Sequence, residues 1–192
     1  MSAIRRIGTG ALQEQPWANG MGSTLLIDSA PACGDWQWRL SIARIERDSP
    51  FSLLPAVRRQ FVALDAPIRL VFEHGHQQDL LRLQPFAFNG GEPVRAELSE
   101  GATRAFNLML RGQAQGQLLA RPLNGTMLLP IRPDSHWYVH LLAGWARLHV
   151  DDEVQELHVG DHAWIEVTAP ARAQIEGGGE VILVQLDVQR HR

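Results

Sequence analysis

The sequence predicts an all-β protein of short antiparallel strands arranged in two similar halves, and three observations carry that expectation. Apolar and polar residues alternate one by one over short runs instead of recurring at helical spacing. Clusters of Gly, Pro, Asp and Asn separate these runs at intervals suited to sandwiches and barrels. The order strand, tight turn, strand, polar turn, strand also occurs twice: at 60–83, with turns at Asp65-Ala66-Pro67 and His74-Gly75-His76, and at 137–161, with turns at Ala143-Gly144, Asp151-Asp152-Glu153 and Gly160-Asp161. Small jelly-roll units read this way, and two of them fit a chain of 192 residues. The expected division is 1–110 and 111–192, with exchange of strands between the units permitted; the Gly- and Gln-rich stretch 111–119 reads as a connector.

Taken in order, Pro16-Trp17-Ala18-Asn19-Gly20-Met21-Gly22-Ser23-Thr24 begins with a hairpin signal, because both Asn and Gly tolerate positive φ, and Leu25-Leu26-Ile27 follows as a strand. Turn chemistry explains the glycines and the Asn of this tract but not its Trp. Residues 36–43 alternate strictly: Trp36, Trp38, Leu40 and Ile42 share one face, while Gln37, Arg39, Ser41 and Ala43 share the other, which reads as a half-buried strand. Ser49-Pro50-Phe51-Ser52-Leu53-Leu54 is the one candidate for a short helical turn. Further strands are expected at 61–64, 68–72, 79–83, 138–142, 146–150 and 181–186.

Composition excludes several function classes. Net charge is -3, all 18 basic residues are arginines, and none clusters beyond the pairs Arg5-Arg6 and Arg58-Arg59, so no footprint for a nucleic-acid backbone exists. Cys33 is the single cysteine, which leaves no internal disulfide and no multi-cysteine zinc site. No run of apolar residues suggests a signal peptide or a membrane span, and a cytoplasmic location is expected. Gly20-Met21-Gly22 lacks the third glycine and the βαβ setting of a dinucleotide fingerprint.

Eight histidines raise the question of a metal. His74 and His76, two apart, would lie about 6.6 Å apart on one strand face, within reach of one ion, although Gly75 and Gln77-Gln78 mark a solvated hairpin tip. His136 and His140, four apart, would be about 13 Å apart on a straight strand. His158 and His162 flank a Gly-Asp turn and read as surface residues. A site for a small anion is assembled more readily: Arg39 and Ser41 share a strand face, Arg59 enters the next strand, and Asn107 is an amide inside the apolar run Phe106 to Met109 that must find partners. Either a ligand or neighbouring carboxylates such as Glu46 and Asp48 would satisfy the arginines.

Several separated motifs together resemble the HutD/Ves family: Trp17-Ala18-Asn19-Gly20-Met21-Gly22-Ser23-Thr24, Trp38-Arg39-Leu40-Ser41-Ile42-Ala43, Ser49-Pro50-Phe51-Ser52, Arg59, Phe86-Ala87-Phe88-Asn89-Gly90 and Phe106-Asn107-Leu108-Met109. The resemblance implies a bacterial bicupin, that is, two stacked barrels of the RmlC-like double-stranded β-helix (cupin) type. It further implies no established catalytic activity and a pocket for a small carboxylate such as urocanate or formylglutamate; neither half shows the His-x-His with a nearby Glu and a later His that metal-binding cupins need, so no metal or other cofactor is expected. The associated role is to moderate histidine utilisation or, in the Ves branch, a stress response. Against the family pattern, Ser49 stands for a Gly, Ala56 and Arg58 alter the stretch before Arg59, and Ala105 replaces an acid, changes expected to make the pocket more positive. Trp17, Asn19, Gly20, Arg39, Ser41, Arg59 and Asn107 are the expected ligand-binding residues. Two other readings stand beside this one: a metal-dependent cupin isomerase or oxygenase using His74 and His76, and a structural or protein-interaction module. An exposed sheet edge offers a route to a homodimer.

Overall fold

The computed structural model of the chain describes residues 3–8, 12, 14–17, 20–32, 34–132, 135–167 and 171–187. Its secondary structure there is entirely β, as expected, and residues divide into two compact units, Leu12–Gln113 and Met1–Ala11 with Ala114–Arg192. The first strand, β1 (Ile4–Ile7), therefore belongs with the C-terminal residues, where the sequence-based division left it with the N-terminal ones. Its antiparallel pairing with β15 (His162–Ile165), Ile4 opposite Ile165, is the physical reason.

The unit Leu12–Gln113 contains β2 (Glu14–Pro16), β3 (Gly22–Ala30), β4 (Trp38–Ile45), β5 (Ser49–Pro50), β6 (Val57–Ala63), β7 (Ile68–Phe72), β8 (Gln77–Leu80), β9 (Phe86–Asn89), β10 (Val94–Glu97) and β11 (Thr103–Arg111). One sheet runs β2-β3-β4-β11-β6-β9 and the other β5-β10-β7-β8. Between them lies an apolar core: Ala43, Ile45, Phe61, Ala63 and Ala105 from the first sheet meet Ile68, Leu70, Phe72, Leu80, Val94 and Ala96 from the second. Residues 49–54 form no helical turn. Ser49 and Pro50 pair with β10, and an extended strap follows, pinned by Phe51 N donating to Val94 O (2.8 Å) and Leu54 N to Gly90 O (2.7 Å). Proline at 50 and at 55 disfavours helical geometry at the residues before them, Ser49 and Leu54.

The other unit holds β1, β12 (Gln115–Leu129), β13 (Ser135–Val150), β14 (Glu153–Leu157), β15 and β16 (Ala173–Asp187) in one sheet, ordered β1-β15-β13-β16-β12 with β14 on β13. Its core gathers Trp137, Val139, Leu141, Leu148, Val150, Ile165, Ile175, Val181 and Leu183. Here the strands are far longer than the sequence suggests. Ala143-Gly144 is no turn but a bend inside β13, beside a bulge between Leu141 and Ala143, and the supposed connector 111–119 is mostly strand. Glycines explain the bend. Gly144 has φ +82° and faces Gly179; a Cβ on Gly144 would lie 1.8 Å from the Gly178 carbonyl oxygen, and one on Gly179 1.9 Å from that of Ala143. Bare backbones let adjacent long strands fold over together, so that each strand serves both ends of the unit.

The alternate face of β13 and β15 carries Tyr138, His140, His162 and Trp164, all buried, so His162 is not the surface residue its turn suggested. Its ring stacks on that of His140 at 4.2 Å, its Nδ1 is hydrogen-bonded to the Tyr138 hydroxyl, and the His140 Nδ1–H donates to Asp161 O at 3.1 Å. Desolvation, with the neighbouring His140 second, pulls the His162 pKa down to about 3.

Two outcomes follow from these packings. Gly144→Ala is expected to cost at least ~3 kcal/mol in urea unfolding, because backbone must move to admit the methyl group; a cost below ~0.5 kcal/mol would contradict the close crossing. Between the free-histidine pKa of about 6.5 and the folded value of about 3, the unfolded chain takes up a proton that folded His162 refuses. The stability held by the neutral ring is therefore complete above this window and is lost as pH falls through it. Urea midpoints measured from pH 7 to pH 4 should fall, and should fall less in His162→Gln; identical slopes would refute the assignment.

Candidate functional site

Strand register decides which side chains meet inside the unit Leu12–Gln113. Across β4, β11, β6 and β9, one row of opposed residues reads Arg39, Met109, Arg59, Phe88; the next reads Ser41, Asn107, Phe61, Phe86. A third reads Ala43, Ala105, Ala63, with Thr24 of β3 beside Ala43. Side chains along a strand alternate between faces, so residues two apart share a face and all three rows project into the same interior. The third row and Phe61 belong to the apolar core. Arg39, Met109 and Arg59 of the first row, Ser41, Asn107 and Phe61 of the second and Ala43 of the third floor a cavity of about 370 Å³, walled by Trp17 and Thr24 on one side and by Pro50, Phe51, Ser52 and Leu54 of the strap on another.

The face of 36–43 that carries Arg39 and Ser41 is thus an inner one: Ser41 is only 1% exposed and Arg39 is half-buried. Arg59 is 6% exposed and Asn107 1%. The Arg59 Nη2 donates to Asn107 Oδ1 at 2.8 Å, and the Asn107 Nδ2 donates to Ala105 O at 3.3 Å. The guanidinium carbon lies 4.8 Å from the Phe51 ring centre and 5.0 Å from that of Phe88, within cation–π range of both. Burial pulls the Arg59 pKa down to about 10 and lowers that of Arg39, yet Arg59 keeps its proton at neutral pH. Among the described residues no carboxylate pairs with either arginine, and the buried Nε of each has no acceptor. Asp48, a partner considered from sequence, instead accepts from Leu98 N and faces Arg95.

Trp17 supplies an apolar wall because its one polar atom is already used: the indole Nε1–H donates to Thr24 Oγ1 at 2.8 Å. Gly22 makes room for it, since a Cβ there would lie 2.1 Å from the Arg44 carbonyl oxygen and 3.1 Å from the Trp17 ring. Gly20, with φ +66°, closes the turn through Gly20 N to Trp17 O (3.0 Å) and Trp17 N to Gly22 O (2.8 Å), but it is exposed and does not line the cavity. Asn19 lies outside the described residues, as does Cys33.

Five of the seven expected site residues, Trp17, Arg39, Ser41, Arg59 and Asn107, therefore line one cavity. Sequence reasoning missed Met109 and Phe61, although both stand two positions from a named residue, at the phase already used to join Arg39 to Ser41. Phe51 was hidden because an extended strap has no periodicity. Arg58, expected to add charge to the pocket, is exposed on the opposite face of β6. His74 and His76 are exposed in the turn between β7 and β8, and among the described residues no group of three His, Cys, Asp or Glu side chains is placed to hold a metal ion. No helix among them is long and apolar enough to cross a membrane.

A family model for HutD matches residues 10–183. The chain belongs to the HutD family. This HutD-family chain is 40% identical over 97 residues to Protein Ves of Cronobacter sakazakii, a match covering 50% of the chain and 54% of that protein; the chain spans about half the length of the Ves relatives it matches. It is 27% identical to the solved HutD of Pseudomonas fluorescens, with TM-score 0.81 over 98% of the chain and 100% of that structure. A cupin 2 conserved barrel domain protein from Leptotrichia buccalis, 9% identical with TM-score 0.61 over 96% of each chain, shares the fold alone. The fold is that of the cupins.

Thr24→Val keeps the shape at the Trp17 wall but removes the acceptor of its indole N–H. A loss of about 1 kcal/mol in thermal or urea unfolding is expected, and an unchanged stability would mean that the bond contributes nothing to holding the wall.

Proposed function

We propose that this HutD-family protein is a non-catalytic bicupin that binds a small carboxylate, urocanate- or formylglutamate-like, in the interior of the unit Leu12–Gln113. One observation carries the reading: two arginines line a cavity whose described lining contains no carboxylate to neutralise them. A buried cation without a counter-charge costs several kcal/mol, and an incoming carboxylate recovers that cost through short, charge-assisted hydrogen bonds. Arg39 and Arg59 stand in one row two strands apart, about 10 Å between Cα atoms, with Met109 between them. The spacing suits a molecule with an acid group at one or both ends and an apolar middle, flanked by Trp17 and Phe51. The described lining also offers no imidazole, thiol or carboxylate to act as a general base near neutral pH, which favours binding over turnover. The biological role that goes with it is to moderate histidine utilisation in the cytoplasm, with a Ves-like stress response as the other branch of the same kinship.

Calorimetric titration with formate, urocanate and formylglutamate tests this. At least one should bind, with affinity that falls as salt is added, and Arg39→Ala should weaken it at least ~10-fold. No heat from any of the three, or an undiminished affinity in Arg39→Ala, would remove the assignment.

A further inference from the structure

Asn107 holds the key to the sign of this cavity. Arginine can only donate hydrogen bonds, so the atom of Asn107 facing the Arg59 Nη2 at 2.8 Å must be its oxygen, and the amide nitrogen is turned to Ala105 O. One oxygen and one N–H of this amide are therefore committed inside the protein. Aspartate differs from asparagine by a single terminal group and would meet the same Nη2 with a full negative charge. At 1% exposure next to a guanidinium that is 6% exposed, that charge would be screened little by water. The neighbouring row adds no charge, since Ala43, Ala105 and Ala63 stand there.

We infer that Asn107 is a positioning residue and the specificity determinant of the site: it fixes the Arg59 guanidinium by a neutral acceptor, and so leaves the cation available to an anionic ligand. This inference rests on the carboxylate-binding reading and goes beyond it, because it assigns Asn107 a role through Arg59. Three supports hold Arg59 without neutralising it: the amide oxygen, the Phe51 ring and the Phe88 ring. Of its five N–H donors only one, on Nη2, is used within the protein, and the others, the buried Nε–H among them, are left for ligand oxygens.

The test uses the full chain, with formate, urocanate and formylglutamate as probes, and the variants Asn107→Asp and Asn107→Ser. Asn107→Asp gains an ion pair with Arg59 but turns a second oxygen toward Ala105 O in place of the amide N–H, so a cooperative urea transition is used only to show that the variant folds. It should nevertheless bind the best of the three probes on the order of 100-fold more weakly or worse, since the pair cancels the charge the ligand needs. Asn107→Ser, neutral and still an acceptor, should lose no more than ~10-fold. Equal losses in both variants would make Asn107 an ordinary contact and overturn the inference, as would undiminished binding in Asn107→Asp. If wild type binds none of the probes, the carboxylate reading itself fails, an outcome distinct from the others.

Discussion

A guanidinium buried to the extent of Arg59, with no carboxylate beside it, must be held by whatever else the fold can supply. In this protein the supply is one amide oxygen and two phenyl rings, and each depends on a different part of the chain: Asn107 on β11, Phe51 on the strap, Phe88 on β9. Cation–π contacts and a neutral hydrogen bond offset part of the desolvation cost and leave the charge uncancelled. The interior of this unit is shaped by that compromise.

The same interior is assembled from two chemically opposed ends. Toward the second sheet, Ala43, Ala105 and Ala63 give way to Ile68, Leu70 and Phe72, and the space is filled. Toward the strap, Arg39, Ser41, Asn107 and Arg59 occupy positions that in a purely structural sheet would be apolar, and a cavity remains. A core that breaks the apolar rule at one end and keeps it at the other is what a binding site on a stable scaffold requires. In the second unit Gly144 and Gly179 let the backbones of β13 and β16 approach closely, and Val139, Leu141, Leu148, Ile175 and Leu183 belong to its apolar core.

Much of this was legible in the sequence, for reasons that can be named. Period-two alternation over 36–43 revealed a strand and put Arg39 with Ser41 on one face, because strand geometry allows nothing else. Which face was inward was not legible: Trp36 and Trp38 outweigh an arginine and a serine in any hydrophobic count, yet Ser41 is as buried as Leu40 is, since the strand is covered on both faces. The bend at Ala143-Gly144 looked like a turn because a glycine between two apolar runs has the same local pattern in both; only the glycines opposite it, more than thirty residues away, distinguish the two. His162 looked exposed beside Gly160-Asp161, yet the turn ends one residue before the strand enters the interior. Non-local pairing, invisible to a window of neighbours, settled each case.

The Arg59 Nε–H is the most direct witness to the central claim that this cavity holds its cation for an anion. With nitrogen-labelled arginine, the Arg59 Nε–H resonance should be resolved in the free protein, and titration with formylglutamate or urocanate should move it strongly downfield as a carboxylate oxygen becomes its acceptor, with no comparable change at exposed Arg58. A ligand that binds while the Arg59 resonance stays in place, or one that moves it no more than Arg58, would contradict the account.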